Sequence, residues 1–104
     1  MNSNLEIKCS RDKNLWFGWC NGFCSGTIKT TLRMCGKARL TFGNCFAQDY
    51  VVAELNGKEI GRANPYQSKT IIFDFKDGDI LELIDTGVSI IALDDLKIIS
   101  CSSC

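Results

Sequence analysis

The chain of 104 residues is long enough for one domain, and its 12 basic and 12 acidic residues give a formal net charge of zero. Its hydrophobic content of 45% is that of a folded protein, which excludes wholesale disorder. The absence of histidine excludes Ser-His-Asp and Cys-His catalysis and every zinc site that includes histidine. No apolar run reaches the roughly 18 residues of a membrane-spanning helix, so we expect no membrane span.

Seven cysteines in so short a chain indicate a disulfide framework of the kind found in small secreted domains. A cytosolic protein with buried thiols is the alternative. The odd number leaves at least one thiol unpaired or bonded to another chain. The first eight residues lack the basic stretch and apolar core of a signal peptide. We therefore expect a secreted or extracellular domain without a signal peptide in this chain. The cysteines are Cys9, Cys20, Cys24, Cys35, Cys45, Cys101 and Cys104.

Apolar and polar residues alternate with period two along most of the chain, which predicts strands rather than helices. Short segments at Leu5–Cys9 and Leu15–Trp19 are the first candidate strands. Alternation is clearest over Thr27–Met34 and resumes over Ala38–Phe42, after Gly36. We predict that these two segments form an antiparallel pair with one side facing solvent.

Turn motifs divide the second half of the chain. Asn56-Gly57 between extended segments is typical of a two-residue hairpin, because a type I′ turn requires positive φ at both central residues. Asp77-Gly78 and Thr86-Gly87 predict two further turns, and Asp94-Asp95 precedes the last predicted strand. The pattern predicts eight to ten short strands in an all-β antiparallel sandwich, within a single domain over residues 1–104. The strands expected here are Tyr50–Leu55, Lys58–Ala63, Lys69–Phe75, Asp79–Asp85, Val88–Leu93 and Leu96–Ser100.

Three segments in the last two-thirds of the chain resemble galactose-binding and carbohydrate-binding-module domains. Tyr50–Lys58 is similar to their strand and "NGK" hairpin, and Phe73–Leu83 is similar to their paired late strands. Ile91–Ile98 resembles their closing strand and also that of MAM adhesion domains. The cysteine-rich start matches neither family. The resemblance implies a jelly-roll-like sandwich that binds an extracellular glycan or protein without catalysis.

Two stretches combine aromatic side chains with polar neighbours, as a sugar site requires. One holds both tryptophans, Trp16 and Trp19, with Asn21 among glycines. Indole faces stack on sugar rings, although filling the core is the alternative role for at least one of the two. The other stretch runs from Asn64 through Pro65 and Tyr66 to Gln67, where proline restricts the backbone. We predict that one exposed tryptophan, Asn21, Asn64 and Tyr66 contribute to ligand binding.

The cysteine spacing leaves most pairings open. Cys45 follows a strand end and Cys101 closes the last strand, so Cys45–Cys101 is the first disulfide that we expect. Cys20 and Cys24 together with Cys101 and Cys104 would form a four-thiolate zinc site, which is the alternative. A redox role for the last pair lacks the basic neighbours or helix N-terminus that lower a thiol pKa.

Acidic and basic residues give two further candidate sites. Asp94 and Asp95 lie where jelly-roll binding modules often hold Ca²⁺, so the resemblance implies calcium as the one candidate cofactor, and solvated turn residues are the alternative. Four basic residues fall on the solvent side of the first predicted pair, where they suit a sulfated glycan or nucleic acid. The neutral net charge argues against nucleic acid. These basic residues are Lys29, Arg33, Lys37 and Arg39.

Taken together, these patterns predict a non-catalytic, lectin-like extracellular binding module with a glycan or an extracellular protein as its partner. An enzyme is not expected, since the sequence contains neither a nucleophile elbow nor a phosphate loop. A self-associating structural or adhesion protein is the alternative. The odd number of cysteines favours this alternative. So does the contrast between the basic first half of the chain and its acidic second half.

Overall fold

Strands form the whole of the regular structure that is described. The computed structural model describes residues 2–8, 14–15, 23–24, 27–87, 89, 91–102 and 104, with side chains from residue 27 onward except 93–95. No residue of these ranges is helical. The strands are β1 (Asn2–Lys8), β2 (Asn14–Leu15), β3 (Phe23–Cys24), β4 (Thr27–Arg33), β5 (Cys35–Asn44), β6 (Val51–Leu55), β7 (Lys58–Ala63), β8 (Ser68–Phe75), β9 (Ile80–Asp85) and β10 (Ile91–Ser102).

The strands form two sheets that pack face to face. Sheet A has the order β1-β4-β9-β6-β7, and sheet B has the order β2-β10-β5-β8, with β3 also paired to β10. All pairings are antiparallel except the parallel pairing of β1 with β4. From β4 onward the chain passes repeatedly between the sheets, as in a jelly roll. The predicted all-β antiparallel sandwich is confirmed. The described part of the chain contains no helix that is long and apolar enough to cross a membrane.

The core lies between the sheets and follows the period-two alternation of the sequence. In β4, Ile28 and Leu32 are buried while Lys29 and Arg33 lie on the other face of the strand. Burying each such aliphatic side chain stabilises the fold by roughly 1.5–3 kcal/mol. The largest fully buried side chains are Phe42, Ile28, Leu32, Leu40, Leu81, Leu83, Ile91, Leu96, Ile98 and Val51.

The predicted pairing of Thr27–Met34 with Ala38–Phe42 is wrong. β4 pairs with β1 and β9 in sheet A, whereas β5 pairs with β8 and β10 in sheet B. The chain changes sheets at Met34, whose φ of 66° turns the backbone sharply, and the Met34 N–H donates to Oδ1 of Asp77 at 2.8 Å. Both segments present an apolar face because they line opposite walls of the same core.

The predicted hairpin at Asn56-Gly57 is confirmed. It joins β6 to β7, and Asn56 and Gly57 have φ values of 54° and 82°, as a type I′ turn requires. The predicted turns at Asp77-Gly78 and Thr86-Gly87 are also present, with positive φ at both glycines. These two turns join strands of different sheets and are therefore crossovers rather than hairpins.

Asp94 and Asp95 lie inside a strand and not before one. The predicted strands Val88–Leu93 and Leu96–Ser100 are largely merged in β10, whose pairing with β5 shifts register between Leu93 and Asp95. An extra residue in one strand of a pair forms a bulge, which keeps the strand continuous where the sequence suggests a break.

The predicted Cys45–Cys101 disulfide is wrong. Cys45 is an exposed free thiol, and a disulfide joins Cys35 to Cys104 with 5.4 Å between their Cα atoms. The antiparallel register explains the difference, since Cys101 lies opposite Gly36 at the start of β5 while Cys45 follows the end of β5. Cys101 is disulfide-bonded as well, which removes both of the C-terminal thiolates from the alternative zinc site. Cys9 and Cys20 lie outside the described residues, and Cys24 is described in backbone only.

Candidate functional site

Loops gather at the end of the sandwich where β5 ends and β8 and β10 begin. We call the loops 45–50 and 64–67, with the adjoining strand ends, the Tyr66 end. The second of the two stretches predicted to bind a ligand lies here. Its contacts show how the fold holds the two loops together.

A buried asparagine organises the first loop. Asn44 is 2% exposed, and its amide nitrogen donates to the backbone oxygens of Gln48 and Asp49 at 3.2 and 3.1 Å. Its side-chain oxygen accepts from the N–H of Phe46 at 3.0 Å. These bonds replace the backbone partners that the loop lacks after the strand ends, so Asn44 fixes the path of residues 45–49.

Backbone contacts join this loop to the second one. The Asn44 N–H donates to the oxygen of Gln67 at 3.0 Å, and the Tyr66 N–H donates to the oxygen of Phe46 at 3.2 Å. The approach is so close that a Cβ at Gly43 would lie 2.8 Å from the Gln67 oxygen. Gly43 is therefore required for the two loops to meet.

Tyr66 occupies a turn position that glycine normally takes. The Gln67 N–H donates to the oxygen of Asn64 at 3.0 Å, which closes a four-residue turn with Pro65 second and Tyr66 third. Tyr66 has a φ of 56°, and positive φ at this position is typical of a type II turn, where glycine or asparagine is preferred. The Gln67 side-chain oxygen also accepts from the Asn64 N–H at 2.9 Å. The turn is thus fixed, and it holds the Tyr66 side chain 75% exposed.

A shallow depression of about 330 Å³ lies beside the Tyr66 ring. The polar groups on its lining come from Asn44, Cys45, Gln67 and Ser68. None of its described lining residues is charged. The combination of an exposed ring with neutral hydrogen-bonding groups suits a polar, uncharged ligand that has an apolar face.

The other predicted stretch is flanked by two short strands that pair with β10, and one of them reaches the Tyr66 end. Leu15 pairs with Leu96, and Phe23 pairs with Ala92, which also lines the depression beside Tyr66. Trp16, Trp19 and Asn21 themselves lie outside the described residues. The topology therefore brings both ends of the tryptophan segment to β10, and the Phe23 end to the part of β10 that borders the depression.

The calcium prediction concerns side chains that are not described. The backbone places Asp95 opposite Thr41 of β5, with Asp94 at the register shift of β10. Calcium at Asp94 and Asp95 stays a prediction.

The four basic residues predicted to share one surface do not do so. Lys29 and Arg33 lie on β4 in sheet A, and Lys37 and Arg39 lie on β5 in sheet B, so the two pairs face away from each other. Arg33 also approaches Asp77 at 3.8 Å and Lys37 approaches Asp74 at 3.9 Å, both on the surface. This separation removes the geometric basis for one extended anion-binding face.

A second depression of about 730 Å³ lies at the opposite end, beside the Cys35–Cys104 disulfide. Its carboxylate Asp79 accepts from the Asn56 side chain and from the Lys76 N–H, each at 2.8 Å. The Asn56 oxygen in turn accepts from the Ile80 N–H at 2.9 Å. These groups hold the neighbouring turns together and are already occupied, which favours a structural role.

Tyr50, the other described tyrosine, lies against the guanidinium group of Arg62. Arg62 lies 4.7 Å from the centre of the Tyr50 ring and donates to Oε1 of Glu59 at 2.8 Å. The hydrogen bond from Arg62 holds the pKa of the Glu59 carboxyl below its usual value. Tyr50 is thus covered in part, in contrast to Tyr66.

Comparisons with known proteins add little to this geometry. No protein-family model and no curated protein matches the chain. One solved structure, the insecticidal delta-endotoxin Cry8Ea1 from Bacillus thuringiensis, is similar to part of this chain. The alignment covers 74% of this chain and 18% of the toxin chain, with 17% sequence identity. The TM-score is 0.37, so we infer neither fold nor function from this likeness. The chain spans less than a fifth of the length of that toxin.

Proposed function

We propose that this protein is a non-catalytic, lectin-like module that binds a glycan at the Tyr66 end. The observation that carries the proposal is a tyrosine at a position of the turn where glycine is favoured, with its ring largely exposed. A bulky residue with positive φ is strained, and such strain is typical of functional sites.

The depression beside the ring favours a neutral sugar as the ligand class. Its described lining offers the Cys45 thiol, the Ser68 hydroxyl and the Gln67 amide nitrogen and no charge, while the Asn44 amide and the Gln67 side-chain oxygen are bonded within the loops. Sugar hydroxyls exchange hydrogen bonds with such groups while the apolar face of the ring stacks on an aromatic side chain. The disulfide between Cys35 and Cys104 is compatible with an extracellular location, where glycans of this kind are displayed.

A panel of neutral and charged glycans, read by binding to the immobilised protein, tests the proposal. We expect binding to at least one neutral glycan, with an affinity reduced about tenfold by Tyr66→Ala and largely kept by Tyr66→Phe, since the ring face carries the contact. Met34→Ala is the matched control, because Met34 is an exposed apolar residue at the opposite end. Binding to no glycan, or equal losses in the Tyr66→Ala and Met34→Ala variants, would contradict the proposal.

A further inference from the structure

β8 is an edge strand whose central residues lack the usual protection. It pairs with β5 in unbroken register from Gly36 opposite Phe75 to Gly43 opposite Ser68. No described strand lies on its other side. The strand has eight residues and contains neither a proline nor a bulge. Such an edge offers a row of backbone groups to another chain.

The edge strand of sheet A, β7, has features that discourage pairing with another chain. The pairing of β7 with β6 is broken by a register shift between Ala53 and Glu54. Its exposed residues include Lys58, Glu59 and Arg62, and the last two form an ion pair. Bulges and charges of this kind discourage edge-to-edge pairing. The central residues of β8 have neither a bulge nor a charged side chain.

The middle of β8 instead exposes an apolar side chain. Ile72 is 60% exposed, whereas Phe73 and Phe75 on the opposite face are 9% and 3% exposed. Ile71 contacts β7, where a Cβ added at Gly61 would lie 3.1 Å from it. The inner face of β8 is therefore covered and its outer face is apolar at the centre.

We propose that two copies of this chain pair through their β8 strands, antiparallel, about a two-fold axis at Ile72. In this register Ile72 faces Ile72 of the second copy, and Thr70 faces Asp74. Pairing across the axis continues sheet B from one copy into the other and buries both isoleucines. This proposal stands independently of the glycan site.

The outer face of β8 is complementary to itself in this direction. Thr70, Ile72 and Asp74 alternate on this face. Antiparallel pairing brings the Asp74 carboxylate of one copy opposite the Thr70 hydroxyl of the other, whereas in-register parallel pairing would place the two Asp74 carboxylates side by side. Asp74 is 82% exposed and makes only a long contact of 3.9 Å with Lys37, so it is accessible to a second copy.

The free thiol does not hold this dimer together. Cys45 lies beside Ser68 at one end of β8. The two copies of Cys45 then lie at opposite ends of the paired strands, roughly 27 Å apart at about 3.4 Å per residue. The arrangement predicts association that does not depend on an intermolecular disulfide.

Sedimentation velocity over a range of concentrations, in a Cys45→Ser background, tests the association. We expect a dimer, and we expect Ile72→Lys to raise its dissociation constant at least about tenfold, because two like charges then face each other. Met34→Lys places the same charge at another exposed apolar residue and is expected to leave the dimer intact. A monomer at all concentrations, or a dimer unaffected by Ile72→Lys, would overturn the proposal.

Oxidative crosslinking tests the register in the same background. Opposed residues of an antiparallel pair lie within disulfide range, so we expect Ile72→Cys to crosslink two copies. Thr70→Cys is the matched control, since its two copies lie roughly 14 Å apart along the strands in this register. Faster crosslinking through Thr70→Cys than through Ile72→Cys would overturn the proposed axis.

Discussion

Backbone conformation at single residues separates structural positions from a candidate functional one. Asn56 and Gly57 have the positive φ values of their hairpin, and both are residue types that adopt them readily. Met34 and Tyr66 have positive φ without that tolerance; Met34 forms the corner between β4 and β5, whereas Tyr66 occupies a turn position where glycine is preferred. The contrast yields two opposite predictions for stability.

Gly57→Val is expected to lower the free energy of unfolding by roughly 1–2 kcal/mol, because a β-branched residue is disfavoured at positive φ. Steric crowding does not contribute to this loss of stability, since a Cβ at Gly57 would have no neighbour within 4 Å. Urea denaturation measures the change, with Lys58→Val as a control on the adjacent exposed position. Equal stability of Gly57→Val and wild type would argue against the strained turn.

Tyr66→Gly is expected to leave stability unchanged or to raise it by up to about 1 kcal/mol, because glycine relieves the strain at φ 56°. The same variant is expected to lose glycan binding. Thermal unfolding and the glycan assay, run on one preparation, measure both effects. A marked loss of stability would show that the Tyr66 ring supports the fold, which would contradict its assignment to a ligand.

Thr30 gives a prediction about the core. It is fully buried, and its hydroxyl has no hydrogen-bond partner in the described structure. An unsatisfied buried hydroxyl costs roughly 1–3 kcal/mol, so Thr30→Val is expected to stabilise the protein by about 1 kcal/mol. Thr27→Val, on the other face of the same strand, is the control and is expected to change stability less. Destabilisation by Thr30→Val would indicate a partner for the hydroxyl.

At the scale of elements, local pattern determines which face of a strand is buried but not which strand lies beside it. The alternation in β4 and β5 correctly predicts two strands with one apolar face each. Their assignment to different sheets depends on the corner at Met34 and on pairing with β9, β8 and β10, which are distant in sequence. The hairpin at Asn56-Gly57 was predictable because its partners are adjacent in the chain.

The same distinction applies to the candidate site. Composition and proline identify the stretch that contains Tyr66, since turn chemistry is local. The role of Asn44 arises from contacts with residues 46–49 and with Gln67 of a remote loop. An asparagine at the end of an apolar strand is the only sequence signal for it. The Cys35–Cys104 disulfide likewise depends on a register that spacing does not encode.

The edge strands β7 and β8 pack closely against each other where the two sheets face. A Cβ at Gly61 of β7 would lie 3.1 Å from the Ile71 side chain of β8. Gly61→Ala is therefore expected to destabilise the fold by about 1 kcal/mol through overpacking between the sheets. Ile71→Ala removes both contacting methyl groups, Cγ2 at 3.1 Å and Cδ1 at 3.4 Å, and the double variant is expected to recover part of the loss caused by Gly61→Ala. Additive effects in a double-mutant cycle of urea denaturation would argue against this contact.

At the scale of the whole molecule, the two ends of the sandwich differ in their chemistry. The Cys35–Cys104 disulfide and the paired groups around Asp79 close one end. The other end presents an exposed ring and neutral polar groups at Tyr66. Dimerisation through β8 would place two Tyr66 sites at opposite ends of one continuous sheet, so that a multivalent glycan gains avidity.

Nitrogen-15 chemical-shift mapping with the tightest-binding glycan of the panel locates the site on the molecule. We expect the shifted amides to cluster at residues 43–46, 66–68 and 91–92 of the Tyr66 end, with little change beside Asp79 at the opposite end. We also expect Tyr66→Ala to remove the shifts without altering the rest of the spectrum. Shifts centred on Asp79 and the Cys35–Cys104 disulfide, or no saturable shifts at all, would contradict glycan binding at the Tyr66 end.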